Sequence, residues 1–305
     1  MINKLLNRIA FQLIKKYPNP EIIVKETHTE INKPKLIGTD EKGKLYQCNY
    51  DMKLYLDPVS YVDAMILEHN VWEKESVEIV QMLVKTGDTV LDVGANFGYY
   101  SIMCSKLVGA TGKVISSEPT AYFGDRLKHH ISINNIINIK LLPFGFSNQT
   151  NTLEIKIDPS TATMHMPEQD TFLKTEQIKL ITFDSYVQEN GLEKLDFIKI
   201  DVDGHEPKFL EGAKETIMKF KPDILLEINP LNYYLAGVTI WDFYDQIKEY
   251  GYNIYHEKNV EQITNKIDFL KRCGNFGWQG NWKAPFSLNV LLTTKSSGEL
   301  TEIFS

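Results

Sequence analysis

One run constrains the fold of this chain more than any other: Thr89-Val90-Leu91-Asp92-Val93-Gly94-Ala95-Asn96-Phe97-Gly98-Tyr99-Tyr100-Ser101. Val90, Leu91 and Val93 form a short apolar run of strand type. Gly94 to Gly98 is a turn of small residues, and a helical pattern runs from Tyr99 to Leu107. A strand that ends in glycines and feeds a helix is the way α/β proteins bring backbone close to a nucleotide-like ligand.

The spacing narrows the choice of ligand. A dinucleotide fold wants G-x-G-x-x-G, whereas here Asp92-x-Gly94-x-x-x-Gly98 encloses Asn96. A pyrophosphate favours a third glycine and no acid at the strand end. An acid ahead of the turn suits a ligand with an amino-acid end, and S-adenosylmethionine (SAM) carries an ammonium, a carboxylate and a sulfonium. The next strand, Lys113-Val-Ile-Ser-Ser-Glu118, ends in an acid ahead of Pro119. An acid at the end of the second strand, about 20 residues past the turn, can accept both ribose hydroxyls. A generic βα turn with a solvated acid is the plain alternative.

Strands and helices alternate from residue 89 on. Strands are predicted at 89–93, 113–118, 139–143, 195–200, 223–228, 251–256 and 286–294, with helices near 99–107, 121–134, 207–220 and 240–250. Seven sheet strands with interleaved helices predict an open, Rossmann-like, doubly wound α/β sheet, whose ligands bind beyond the carboxyl ends of the strands. In this layout Phe144-Gly145-Phe146-Ser147-Asn148 falls where an adenine-capping loop would lie, and Ser147 is its candidate polar contact. Leu153–Ile157 reads as an added strand, and Asp158 to Thr175 as an insertion or lid. Residues 1–70 read as an N-terminal extension, with an amphipathic helix over 1–17, a connector from Tyr17 to Gly43 and a hairpin over 45–56. The domain proper is expected over 71–305.

Composition sets outer bounds. The chain has 305 residues, 43% of them hydrophobic, enough for a substantial core, and a net charge of −7 that argues against a phosphate-held nucleic-acid partner. Cys48, Cys104 and Cys273 form no C-x-x-C pattern and read as free thiols of a reducing, cytoplasmic compartment. No apolar run is long enough for a membrane span. The first helix, with Lys4, Arg8, Lys15 and Lys16 among its apolar residues, suits packing on its own domain or on a partner subunit, as in a homo-oligomer; peripheral membrane contact by residues 1–17 is the alternative.

Asp92, Glu118, Asp201 and Glu227 each end an apolar strand, so a parallel sheet gathers four acids at one edge. Like charges at one place need a cationic ligand, a divalent metal or raised pKa values. Asp201, Glu227 and Asn229 are the oxygen ligands available to a Mg²⁺ ion, the less favoured solution; no His/Cys zinc pattern exists. His205, in Asp201-Val-Asp203-Gly-His-Glu206, is a candidate general base or a residue that orders the turn. Asp201 is the alternative base, or it orients a ligand, and Glu206 is expected to stabilise the helix start. Tyr233, Tyr234, Trp241, Trp278 and Trp282 suit either a sugar platform or packing, and Gly274 to Trp282 reads as an acceptor loop.

Asp92-Val-Gly-Ala-Asn-Phe-Gly-Tyr-Tyr-Ser101, Glu118-Pro119, Ile200-Asp-Val-Asp-Gly-His-Glu206 and Leu210-Glu-Gly-Ala213 together resemble FkbM-type SAM-dependent methyltransferases across about residues 70–230. The family usually has Glu where Asp203 stands. The resemblance implies a methyltransferase fold, SAM as methyl donor, and O-methylation of an acceptor such as a sugar hydroxyl of a glycan, glycolipid or secondary metabolite. It implies that Asp92, Gly94, Asn96 and Gly98 line the methionine end of SAM, that Glu118 holds the ribose, and that Asp201 to Glu206 face methyl transfer. A nicotinamide-dependent oxidoreductase and a non-catalytic scaffold on the same sheet are the competing expectations.

Overall fold

The structure, a computed structural model, describes residues 33–163, 173–275 and 288–304. The amphipathic segment 1–17, Met164 to Pro167 of the lid candidate, and Trp278 and Trp282 lie outside the described residues.

The apolar runs from residue 89 onward pair into one eight-stranded sheet. Its spatial order is Glu261–Ile263, Asn253–His256, Leu288–Thr293, Asp223–Ile228, Phe197–Ile200, Thr89–Val93, Lys113–Ser117 and Ile139–Leu142. All seven predicted strands are present, and the three-residue strand Glu261–Ile263 adds an eighth at one edge. The five strands from Ile139–Leu142 to Asp223–Ile228 are parallel. Leu288–Thr293 inserts antiparallel between Asp223–Ile228 and Asn253–His256. From Thr89–Val93 the chain builds outward on one side, then returns to pair Phe197–Ile200 on the other. The order therefore reverses beside Thr89–Val93, and the crevice at that reversal is where such sheets bind ligands.

Both faces of the sheet are covered, which is why its strands are apolar almost throughout. Side chains alternate across the sheet. Leu91, Val93, Ile198, Ile200, Ile224 and Leu226 enter one core with Phe209, Ile217 and Phe243 from the helices. Val90, Phe197, Leu225 and Leu291 enter the other with Val77, Val80, Ile102 and Met103. A further sheet, in the order Gly145–Phe146, Lys174–Ile181, Asn151–Ile157 and Ala162–Thr163, leaves the main sheet after Ile139–Leu142. The added strand expected at Leu153–Ile157 is the centre of a hairpin with Lys174–Ile181.

Two expectations need correction. The connector drawn from Tyr17 to Gly43 contains a strand, Lys35–Asp40, which pairs antiparallel with Gly43–Cys48 and completes a three-stranded sheet with Met52–Tyr55. The helix drawn over 207–220 is two helices, Glu206–Gly212 and Lys214–Phe220, broken at Ala213. Gly212 sits where a Cβ would lie 1.9 Å from the Ser147 carbonyl oxygen, so this turn is pressed against the Ser147 loop.

The described part of the N-terminal extension shares the main core. Cys48, Met52, Leu54, Leu56 and Ile66 pack with Val77 and Val80. His130 accepts from the Tyr55 amide through Nε2 at 3.0 Å and bonds the Phe97 carbonyl through Nδ1 at 2.8 Å, which ties the hairpin to the glycine turn. Burial pushes the His130 imidazolium down to about 3, so the ring is neutral and can play both parts. Asp63, fully buried, takes a 2.7 Å ion pair from Arg126, whose Nη2 also donates to the Tyr55 carbonyl. Removing one partner of a buried pair strands the other charge. Arg126→Ala is therefore expected to destabilise the protein by about 3 kcal/mol in urea unfolding, and a loss below about 0.5 kcal/mol would show that Asp63 is held by other means.

Candidate functional site

A cavity of about 380 Å³ opens at the sheet reversal, and Asp92, Gly94, Asn96, Glu118, Asp201, His205 and Glu227 all line it. Seven of the residues singled out in the sequence thus come together. Gly98, Ser147 and Asn229 are not among its lining residues; Gly98 backs the glycine turn and Ser147 bonds His205.

The floor is the glycine turn. The Gly94 and Ala95 amides both donate to the Ser117 carbonyl, at 3.0 and 3.1 Å. Gly94 has φ +81°, and a Cβ there would lie 1.9 Å from the Asp201 carbonyl oxygen, so no side chain fits between the two central strand ends. Asn96 follows with φ +51°. Its Oδ1 accepts from the Phe97 amide at 2.7 Å, and its Nδ2 reaches the Ser160 carbonyl at 2.9 Å. Gly98 caps the helix Tyr99–Val108 and backs against Leu127.

Glu118 is buried, and the turn organises its carboxylate. One oxygen accepts from the Asn96 amide at 2.9 Å, the other from the Thr120 amide at 2.9 Å and the Thr120 hydroxyl at 2.6 Å. Each carboxylate oxygen has further lone-pair capacity for a ligand hydroxyl. Asp92 lies lower, with Ser101 Oγ donating to it at 2.5 Å and Ser116 Oγ 2.7 Å beyond. Burial raises the Asp92 carboxyl to about 6, so it is ionised at neutral pH.

The sequence showed four acids and no counter-ion; the structure supplies Lys199. Its register partner in the neighbouring strand is Asp92, and strand alternation places Phe197, Lys199 and Asp201 on one face. Lys199 is 1% exposed and its Nζ lies 3.1 Å from Asp201 Oδ2. Burial alone would depress the ammonium, but the neighbouring carboxylates, Asp201 first and then Glu73, outweigh it and raise its pKa. Burial opposes ionisation of Asp201 too, yet Lys199 and a hydrogen bond from Glu227 hold it below the usual range. Glu227 is pushed well above its usual value by burial and by Asp201, so it is protonated and donates to its neighbour. Glu73 enters from the helix side, accepting from Tyr100 Oη at 2.8 Å and Asn289 Nδ2 at 3.0 Å. One buried ammonium and a shared proton thus balance the charge of this cluster. Of the residues weighed as Mg²⁺ ligands, Asp201 and Glu227 bond each other, and Asn229 Oδ1 accepts from the Asn232 amide at 3.1 Å. Among the described residues no group of three or more His, Cys, Asp or Glu has a metal-holding arrangement.

The segment 201–206 is a tight turn. Glu206, fully buried, accepts from the Val202 amide at 2.9 Å and the Gly204 amide at 3.0 Å, so it orders the turn ahead of its helix. His205 lines the cavity while its Nε2 lies 2.9 Å from Ser147 Oγ. Ser147 therefore holds the His205 ring. Asp203, raised to about 6 by burial and by Asp201, accepts from the Thr161 hydroxyl at 2.5 Å. With Asn96 it fastens the Ser160–Thr161 segment across the cavity.

At the mouth, Tyr61 and Trp72 meet edge to face with centroids 6.0 Å apart, and Tyr61 is 52% exposed. These aromatics face the site, unlike Tyr233 from the C-terminal set, which is fully buried with its hydroxyl on the Glu227 carbonyl at 3.3 Å. Trp241 packs beneath the Lys266 ammonium at 4.7 Å. The Tyr234 side chain lies outside the described residues. Lys199 was findable in the sequence, as a lysine inside an apolar strand two positions before an aspartate. Tyr61 and Trp72 carried no such signal, because only the fold brings residues 61–72 to the strand ends.

Comparison with known proteins follows the same lines. A family profile described as "Methyltransferase FkbM domain" matches residues 92–274. A hexuronic acid methyltransferase, AglP, of Haloferax volcanii is 24% identical over 145 residues, covering 48% of this chain and 58% of that protein. The chain thus spans less than two thirds of that relative's length. Methyltransferase sdnD of Sordaria araneosa is 21% identical over 201 residues, covering 55% of this chain and 76% of that protein. The crystal structure of methyltransferase FkbM from Methylobacillus flagellatus superposes with a TM-score of 0.38 at 17% identity, covering 57% of this chain and 42% of that chain. With more than half of its length matched by the family profile, on a sheet whose glycine turn and acids meet at the expected crevice, the chain belongs to the FkbM methyltransferase family.

Proposed function

We propose that the protein is a SAM-dependent O-methyltransferase whose acceptor is a sugar hydroxyl. The observation that carries this reading is the Gly94 turn between two strand ends, with Glu118 organised on one side and the Asp201–His205 segment on the other. SAM fits the chemistry of these residues: an ionised Asp92 and Asp203 for a cationic end, and Glu118 lone pairs for a ribose diol. The bound donor supplies an electrophilic methyl group on a sulfonium.

The chain's own residues then place and deprotonate the acceptor. Positioning alone supplies much of the rate of a displacement reaction. A neutral hydroxyl is a poor nucleophile, so its proton needs a destination. We assign that role to His205, whose ring is set by Ser147. Asp201, ionised beside Lys199 and one-third exposed at its side chain, accepts a hydrogen bond from the acceptor hydroxyl and orients it. Its lowered pKa makes it the weaker of the two candidate bases. The Tyr61–Trp72 corner offers aromatic faces to a sugar ring, and the hexuronic acid named for the Haloferax relative supports a sugar acceptor.

Calorimetric titration with S-adenosylhomocysteine, SAM and NAD tests the donor. The two adenosyl ligands are expected to bind and NAD not to, while binding of NAD alone would favour an oxidoreductase. Raised carboxyl pKa values set the pH dependence. Affinity for S-adenosylhomocysteine is expected to be flat from pH 8 to 7 and to weaken below about 6, where Asp92 and Asp203 take up protons, by about tenfold per pH unit for each proton bound. Constant affinity down to pH 5 would remove these carboxylates from ligand binding. His205→Ala is expected to lower turnover by about 10²-fold or more with donor affinity unchanged; unaltered turnover would exclude His205 as the base.

A further inference from the structure

We propose that a second cavity, beside the first, is an oxyanion-binding site that anchors a carboxylate or phosphate group of the acceptor; this rests on the reading of the first cavity as the donor site. The second cavity encloses about 600 Å³. Its walls come from the tip of the N-terminal hairpin and from the helix Ala121–Ile133.

Its chemistry differs from that of the first. Lys42, Lys44, Arg126 and His129 line it together with Tyr55 and Tyr122. This gathers positive charge in a chain whose net charge is −7. Neither lysine ammonium forms an ion pair among the described residues. Two acids also line the cavity, and both are engaged. Asp57 accepts from the Val59 amide at 3.0 Å, and Asp125 pairs with Lys128 at 3.0 Å. Arg126 spends Nη2 on Asp63 and the Tyr55 carbonyl, leaving further donors on its planar fork. His129 Nε2 is a buried polar atom with no hydrogen-bond partner, and its ring rests against Tyr55 at 5.0 Å. A buried unsatisfied nitrogen costs free energy unless a partner arrives. An oxyanion is the partner that would satisfy two ammoniums, a guanidinium fork and an imidazole together.

The position of the cavity identifies the anion as part of the acceptor. The two cavities lie on either side of one thin wall. Ser60 and Pro159 face the second cavity, while their neighbours Tyr61 and Ser160 face the first. The wall is closed by the Tyr61 amide donating to Ser160 Oγ at 2.8 Å. An acceptor lying across it would set its sugar ring at Tyr61 and its anionic group among the lysines. Arg126 also stacks on Phe97 of the glycine turn at 4.6 Å, so the anion site adjoins the donor floor.

The test is calorimetric titration of glucuronate, glucose 1-phosphate and glucose into the full chain, with and without S-adenosylhomocysteine. At least one of the anionic sugars is expected to bind at least tenfold more tightly than glucose, and the tighter one names the carboxylate or the phosphate as the group recognised. Lys42→Gln/Lys44→Gln is expected to weaken that binding at least tenfold while leaving S-adenosylhomocysteine affinity unchanged. Both lysines are exposed, so the double variant is expected to fold. Anions that bind no better than glucose, or equally well to the double variant, would overturn the anion site whatever the donor result. Failure of S-adenosylhomocysteine to bind, with anion binding intact, would instead overturn the donor reading.

Discussion

A single buried ammonium organises this protein. Lys199 stands inside the central strand with Asp201, Glu73 and Glu227 around it and Asp92 in the adjacent strand. In a low-dielectric interior three or four carboxylates cannot all be ionised without a counter-charge, and an isolated ammonium there would lose its proton. Together they reach a definite state: Lys199 charged, Asp201 ionised, Glu227 protonated and donating. That state aims one ionised carboxylate into the cavity at the strand ends. It also explains why a lysine interrupts a strand that otherwise reads as pure core.

The glycine turn and the Lys199 cluster constrain each other. Gly94 can approach the Asp201 carbonyl only because it lacks a Cβ, and that approach brings the floor of the cavity against the strand carrying Lys199 and Asp201. Ser147 joins from the far side, since Gly212 allows its backbone against the helix that follows His205. The glycine-turn floor, the Asp201 carboxylate and the His205 ring are held by contacts of three different crossovers. This rigidity suits a reaction whose rate depends on placing two atoms in line.

Much of this was legible in the sequence, for a physical reason. Asp92, Gly94, Asn96 and Glu118 belong to a strand–turn–helix unit and the strand after it, whose period and turn chemistry are local. The seven strands were visible because parallel strands buried on both faces are continuous apolar runs. The illegible parts depend on tertiary encounter. Tyr61 and Trp72 reach the mouth only because the N-terminal helices share a core with the sheet. Tyr233 had the composition of a platform residue, yet the fold turned it inward onto the Glu227 carbonyl. The strand Lys35–Asp40 was hidden because its two large apolar residues, Leu36 and Ile37, are adjacent and exposed at a sheet edge, so no alternating apolar face betrays it.

Because the site rests on a charge balance, its stability must depend on pH. In Lys199→Met the ammonium is gone and the carboxylates around it must be neutral to stay buried. The folded pKa values of Glu73, Asp92 and Glu227 would then lie still further above the unfolded ones, and that of Asp201, now below, would rise above its own, so their contribution to stability is present at low pH and lost as pH rises through those values. Urea unfolding of wild type and Lys199→Met at pH 5 and pH 8 is the measurement. The charge balance leads to an expected loss of about 3–5 kcal/mol at pH 8 and a clearly smaller one at pH 5. An equal loss at both pH values would show that Lys199 matters for packing alone, and would contradict the charge balance on which the site is built.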